Sequence, residues 1–139
     1  MRSRTLAILG TAVCVSVVGA SLAVAGQGAN ATTKVNVTLK EFKVIPAPPS
    51  VKAGKVSFTV KNVGKATHEL VVIKTSAAPG KLKVTGAVAS EAGKVLDIPG
   101  VAPGKTKTGS VTLKKGKYVF ICNVPGHYQA GQYVGFTVK

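Results

Sequence analysis

Apolar and polar positions alternate in short runs along most of the chain. Val35, Val37 and Leu39 alternate with polar residues, and Val56, Phe58 and Val60 alternate with Ser57, Thr59 and Lys61. Val111 and Leu113 repeat the pattern with Thr112 and Lys114. Two runs are largely or wholly apolar, His68-Glu69-Leu70-Val71-Val72-Ile73 and Tyr118-Val119-Phe120-Ile121-Cys122, and Tyr133 to Val138 closes the chain. A period of two predicts half-buried strands, and short continuous apolar runs predict inner strands. Breakers fall between them: Ala53-Gly54-Lys55, Asn62-Val63-Gly64, Pro79-Gly80, Pro99-Gly100, Pro103-Gly104 and Lys115-Gly116. These predict turns. No window carries a capped helical period. The pattern predicts an all-β sandwich or barrel, and about seven or eight strands use the available length. Residues 75–98, rich in Ala, Gly and Ser, predict a loop or a short helix.

The first 25 residues have a different character. Arg2 and Arg4 precede an apolar run from Leu6 to Val24, which ends in Ala23-Val24-Ala25 before Gly26. A positive start, an apolar middle and a small-x-small end are the layout of a secretory signal peptide. The rival is an uncleaved membrane anchor, because the run nears the ~20 residues that a span needs. Residues 26–33 (GQGANATT) predict a flexible leader, and residues 34–139 one folded domain. The expected location is therefore outside the cytoplasm: periplasm, cell envelope or medium.

Charge and cysteine content narrow the function. The chain has 19 basic and 4 acidic residues, a formal charge of +15. So few carboxylates weigh against a glycosidase-like acid pair or an oxygen-ligand calcium site. Removal of residues 1–25 also removes Cys14 and leaves Cys122 as the single cysteine. An exported chain with one cysteine has no internal disulfide, and an exposed thiol there invites oxidation. Cys122 must be buried or bound.

Cys122 opens the segment Cys122-Asn123-Val124-Pro125-Gly126-His127-Tyr128-Gln129-Ala130-Gly131-Gln132, which joins the last two predicted strands. The segment contains one of the two histidines. The other, His68, opens an apolar strand more than fifty positions earlier. A distant ligand plus a local loop is the distribution a metal site in a sandwich needs. One thiolate and two imidazoles with a weak axial group favour copper, whereas zinc wants a fourth strong ligand or a water. The axial place is usually filled by Met, and no Met follows Met1. Gln132, with its side-chain carbonyl, is the replacement at hand.

The pattern Cys-x4-His-x4-Gln with Val-Pro-Gly inside it resembles the blue-copper proteins, the cupredoxins. The Gly131-Gln132 ending is similar to plastocyanin, and the Cys-to-Gln spacing to stellacyanin-type phytocyanins. The blocks Ala53-Gly54-Lys55-Val56, Asn62-Val63-Gly64, Thr67-His68-Glu69-Leu70-Val71 and Lys115-Gly116-Lys117-Tyr118-Val119-Phe120 match as well. The resemblance implies a Greek-key β-sandwich holding one copper ion, with His68, Cys122 and His127 as ligands and Gln132 axial. Two departures stand out. Phytocyanins carry a disulfide cysteine after the loop histidine, where this chain has Tyr128. Many relatives carry Asn after the first histidine, where this chain has Glu69, which puts the usual hydrogen bond across the site in question.

The expected function is single-electron transfer between larger redox proteins, by Cu(I)/Cu(II) cycling. Electrons would pass through the His127 edge, docked by Val124, Pro125, Tyr128 and Ala130. No catalytic acid, base or substrate pocket is evident, so the reading is not an enzyme. The positive charge fits an acidic redox partner or an anionic cell surface. Nucleic acid is not expected, because aromatic and basic residues do not interleave. Two alternatives stay open. One is a copper carrier or storage protein that hands over the ion; the other is a metal-free or zinc-loaded sandwich that binds acidic surfaces.

Overall fold

The computed structural model describes residues 31–139. The predicted signal peptide and most of the predicted leader lie outside the described residues. Two sheets face each other. The first has the order β2-β1-β4-β9, from Lys43–Ala47, Thr33–Lys40, Gly54–Asn62 and Thr106–Leu113. The second has the order β3-β11-β10-β5-β8, from Ser50–Val51, Tyr133–Val138, Gly116–Ile121, His68–Lys74 and Lys94–Val101. β1 runs parallel to β4, and β11 parallel to β3; the other pairs within the two sheets are antiparallel. Apart from the two-residue β3, eight strands make up the two sheets, as the period-two pattern predicts.

The alternating strands bury one face only. Val35, Val37, Leu39, Val56, Phe58 and Val60 point inward from β1 and β4, while their polar neighbours face out. Phe120 anchors the core, edge-on to Phe58 (ring centroids 5.6 Å) and stacked on Phe136 (4.4 Å). β5 and β10 are different: they are buried on both faces. Leu70, Val72, Tyr118 and Phe120 join the inner core. Val71, Ile73, Val119 and Ile121 pack on the other side with Ala89 and Tyr128. Both faces being covered explains why these two runs are continuously apolar.

Residues 75–98 hold a 3-10 turn at Pro79–Lys81, a small ribbon of β6 (Val84–Thr85) and β7 (Val88–Ala89), and the start of β8. Leu82, Val84 and Ala89 of this segment cover the outer cluster. One expected turn is corrected. Pro99-Gly100 lies inside β8, where the register slips: His68 pairs with Val101, but Leu70 pairs with Ile98. The two residues form a bulge, with Gly100 at φ +58°. An edge strand tolerates both the proline and the bulge. The bulge sits opposite His68.

Candidate metal centre

The site is built from two strand ends and one loop. His68 is the first residue of β5, and Cys122 follows the last residue of β10. The loop 122–132 is closed by Cys122 N–H donating to Gln132 O (3.0 Å). Inside it His127 N–H donates to Val124 O (2.9 Å), Ala130 N–H to Gly126 O (3.0 Å) and Gln132 N–H to His127 O (3.1 Å). Gly126 and Gly131 take the positive φ values, +83° and +99°, that this tight winding needs.

The structure brings the three predicted ligands together. Cys122 Sγ lies 3.8 Å from His68 Nδ1 and 3.4 Å from His127 Nδ1, and the two nitrogens are 3.2 Å apart. A point equidistant from the three atoms sits about 2.0 Å from each, close to the bond lengths of a first-row metal to imidazole and thiolate. His68, Cys122 and Gln132 are fully buried, and only His127 retains exposed surface. Gln132 Nε2 is 3.1 Å from His68 Nδ1. Gln132 Oε1 is the one buried side-chain oxygen or nitrogen without a partner among the described residues.

Surrounding groups hold each donor. Cys122 Sγ accepts from Glu69 N–H at 3.4 Å. Glu69 Oε1 accepts from Asn123 N–H at 3.2 Å, so the bond across the site is made, with a carboxylate as the acceptor. Asn123 in turn locks β7: Ala89 N–H donates to its Oδ1 (2.7 Å), and its Nδ2 donates to Ala89 O (3.0 Å) and Glu91 Oε1 (2.9 Å). Burial pushes the Cys122 thiol above its ordinary value, against the pull of the Glu69 and Val124 N–H groups. Metal binding therefore releases a thiol proton. Burial, with the neighbouring His68, holds His127 below its ordinary value, so its ring is neutral and can offer a lone pair. Burial raises the Glu69 carboxyl, and the Asp97 charge adds to this.

Two residues of the site carry no recognisable pattern in the sequence. Glu41 and Phe42 form the tip between β1 and β2 and reach over the metal end. Glu41 Oε1 accepts from His68 Nε2 at 3.2 Å and from Lys65 and Ala66 N–H at 2.8 and 2.6 Å. The Ala66 N–H leads the backbone donors that pull its carboxyl down to about 2. The Phe42 ring stands edge-on to His127, centroids 5.3 Å apart. The signal that could have found Glu41 is its rarity: it is one of four acidic residues in the chain.

Tyr128 is corrected. It was expected at the docking edge, yet it is buried, because it points away from His127 into the outer cluster. Its hydroxyl accepts from Leu82 N–H (2.9 Å) and donates to Pro79 O (2.7 Å). Of the other docking residues, Pro125 and Ala130 are exposed and Val124 is half-buried.

The sequence matches the cupredoxin-like domain family over residues 8–134. The chain is a cupredoxin. It is 30% identical over 144 residues to the copper-resistant cuproprotein CopI of Pseudomonas aeruginosa, covering 81% of this chain and 80% of that protein. In fold this cupredoxin is similar to reduced auracyanin of Roseiflexus castenholzii, with a TM-score of 0.56 at 21% identity over 78% of this chain and 98% of that one. Rusticyanin of Thiobacillus ferrooxidans gives a TM-score of 0.59 at 16% identity, over 78% and 79% of the two chains.

The cupredoxin's donors fit one copper ion. A thiolate and two imidazole nitrogens at a common distance are the trigonal set that copper prefers. The unpartnered Gln132 oxygen fits the weak fourth position. His68, Cys122 and His127 would hold the ion, and Gln132 lies beside them with a free oxygen.

Proposed function

We propose that this cupredoxin carries single electrons between redox proteins outside the cytoplasm. When bound, copper takes up and returns one electron between its +1 and +2 states. The observation that carries the reading is the tight triangle of Sγ and two Nδ1 atoms, already assembled by strand ends and loop hydrogen bonds. Donors held by the scaffold rearrange little between oxidation states, which favours fast exchange. His127, the single donor residue with exposed surface, is the exit. Pro125, Ala130 and part of Val124 flank it, and Phe42 takes the aromatic place expected of Tyr128.

Charge supports an anionic partner. Lys34, Lys40, Lys43, Lys55 and Lys61 are all exposed on the β2-β1-β4-β9 sheet. Of the four acidic residues, Glu41 bonds His68, Glu69 and Glu91 bond Asn123, and Asp97 pairs with Lys94. The lysine-bearing sheet would draw an acidic protein or an anionic cell surface, an attraction that weakens as salt rises.

A second reading is favoured by the relative named for copper resistance. In it the protein hands over the ion itself. The test is copper reconstitution followed by visible and electron paramagnetic resonance spectra. Intense thiolate-to-copper colour is expected of the Cu(II) form, lost in Cys122→Ser while the domain stays folded; a colourless Cu(II) form sinks the electron-transfer reading. Fast self-exchange without loss of metal then favours electron transfer, and loss of copper to a competing apo-protein favours delivery.

A further inference from the structure

We propose that Glu41 is a positioning residue of the copper centre, which fixes the tautomer of His68 and places a negative charge behind it that favours Cu(II). The proposal rests on the copper site and not on the partner that exchanges electrons with it.

The His68 ring faces two ways. Nδ1 faces Cys122 Sγ, His127 Nδ1 and Gln132 Nε2, and Nε2 faces the Glu41 carboxylate. A neutral imidazole has one N–H, and an ionised carboxylate only accepts. The proton therefore sits on Nε2, leaving the Nδ1 lone pair aimed at the metal position. His68 has no exposed surface, so water does not compete for that bond.

The carboxylate is itself held in a purpose-shaped loop. Residues 62–66 wrap it with the N–H groups of Lys65 and Ala66. Gly64 lines the wrap, and a Cβ there would stand 2.5 and 2.7 Å from the two carboxylate oxygens. Fully buried Asn62 shapes the loop: its Oδ1 accepts from Gly64 N–H (2.8 Å), and its Nδ2 donates to Ala66 O (2.7 Å) and Val101 O (2.8 Å). Val101 pairs with His68 at the bulge. Glu41, the loop, Asn62, Val101 and His68 thus close a ring of contacts that ends on the ligand. An anionic charge on the far side of a ligand ring stabilises the more positive metal state, in the same direction as the Gln132 oxygen.

Three variants separate these contributions. Glu41→Gln keeps an acceptor for the three donors and removes the charge; Glu41→Ala removes both. Gly64→Ala leaves Glu41 intact and displaces its carboxylate. Two readouts apply: the reduction potential of the copper form, and nitrogen NMR of the His68 tautomer in the metal-free protein. The expected result for Glu41→Gln is a shift of the Cu(II)/Cu(I) affinity ratio toward Cu(I) of about tenfold, or ~59 mV upward for a one-electron couple, with the Nε2–H tautomer kept. In Glu41→Ala and Gly64→Ala the tautomer becomes mixed and the potential also rises. An unchanged potential in Glu41→Gln overturns the charge role, and a pure Nε2–H tautomer in Glu41→Ala overturns the orienting role. If the wild-type protein takes no coloured copper, the copper reading fails, while the metal-free NMR still decides whether Glu41 orients His68.

Discussion

Tyr128→Phe tests whether residue 128 serves docking or anchoring. The substitution removes one oxygen and leaves the buried ring in place. Two hydrogen bonds go with that oxygen, one from Leu82 N–H and one to Pro79 O. These tie the metal loop to residues 79–82, of which Leu82 packs on the outer cluster. A typical bond contributes ~0.5–1.5 kcal/mol net, so two lost bonds cost about 2 kcal/mol. For a domain of this size that is a fall of roughly 8 °C in Tm. Urea unfolding of the metal-free protein should show a lower midpoint with an unchanged slope, because the surface exposed on unfolding is the same. The copper form should keep its colour and its rate of electron exchange with a partner. An unchanged midpoint together with slower exchange would place Tyr128 at the docking face and refute this reasoning.

Further outcomes can be checked with the same protein. Gln132→Met should raise the reduction potential, since a thioether stabilises Cu(II) less than an amide oxygen; a potential that is unchanged or lower removes Gln132 from the axial place. The pH dependence of metal-free stability should carry two signs. Glu69 has a raised folded value, so its favourable contribution is present below 4.5 and is lost as pH rises through that raised value. Glu69→Gln keeps an acceptor for Asn123 N–H and should match or exceed wild-type stability at neutral pH. Glu41 is lowered from 4.5 to about 2, so its contribution is present above 4.5 and fades as pH falls toward 2. Glu41→Gln should flatten that acid limb, and an unchanged urea midpoint profile would count against the assignment.

The donors were legible because the chain offers so little else. After the first 25 residues there is one cysteine, two histidines and no methionine. The alternating strands β1, β4 and β9 could be read directly, since each buries a single face. β8 was hidden by Pro99-Gly100, which looks like a turn and is instead a bulge on an edge strand. Glu41 and Phe42 were hidden for another reason. They sit between two strands whose pattern records burial, and nothing local records how far a hairpin tip reaches over a neighbouring sheet. Tyr128 misled because it adjoins His127 in sequence, whereas the loop turns the two adjacent side chains toward different surroundings, one to the metal and one to the packed interior.

The closure of residues 122–132 on itself has a consequence for how such proteins diversify. Its ends meet through one backbone bond at the tips of β10 and β11, and the strands beneath pair without help from what lies between. The segment is thus a replaceable cassette. A loop of different length or composition with the same end spacing could bring a new fourth ligand or a new rim, provided that it still fills the place of Tyr128 in the outer cluster and of Asn123 on β7. Redox tuning and folding thus meet in this loop at Asn123 and Tyr128, which serve the packing as well as the site.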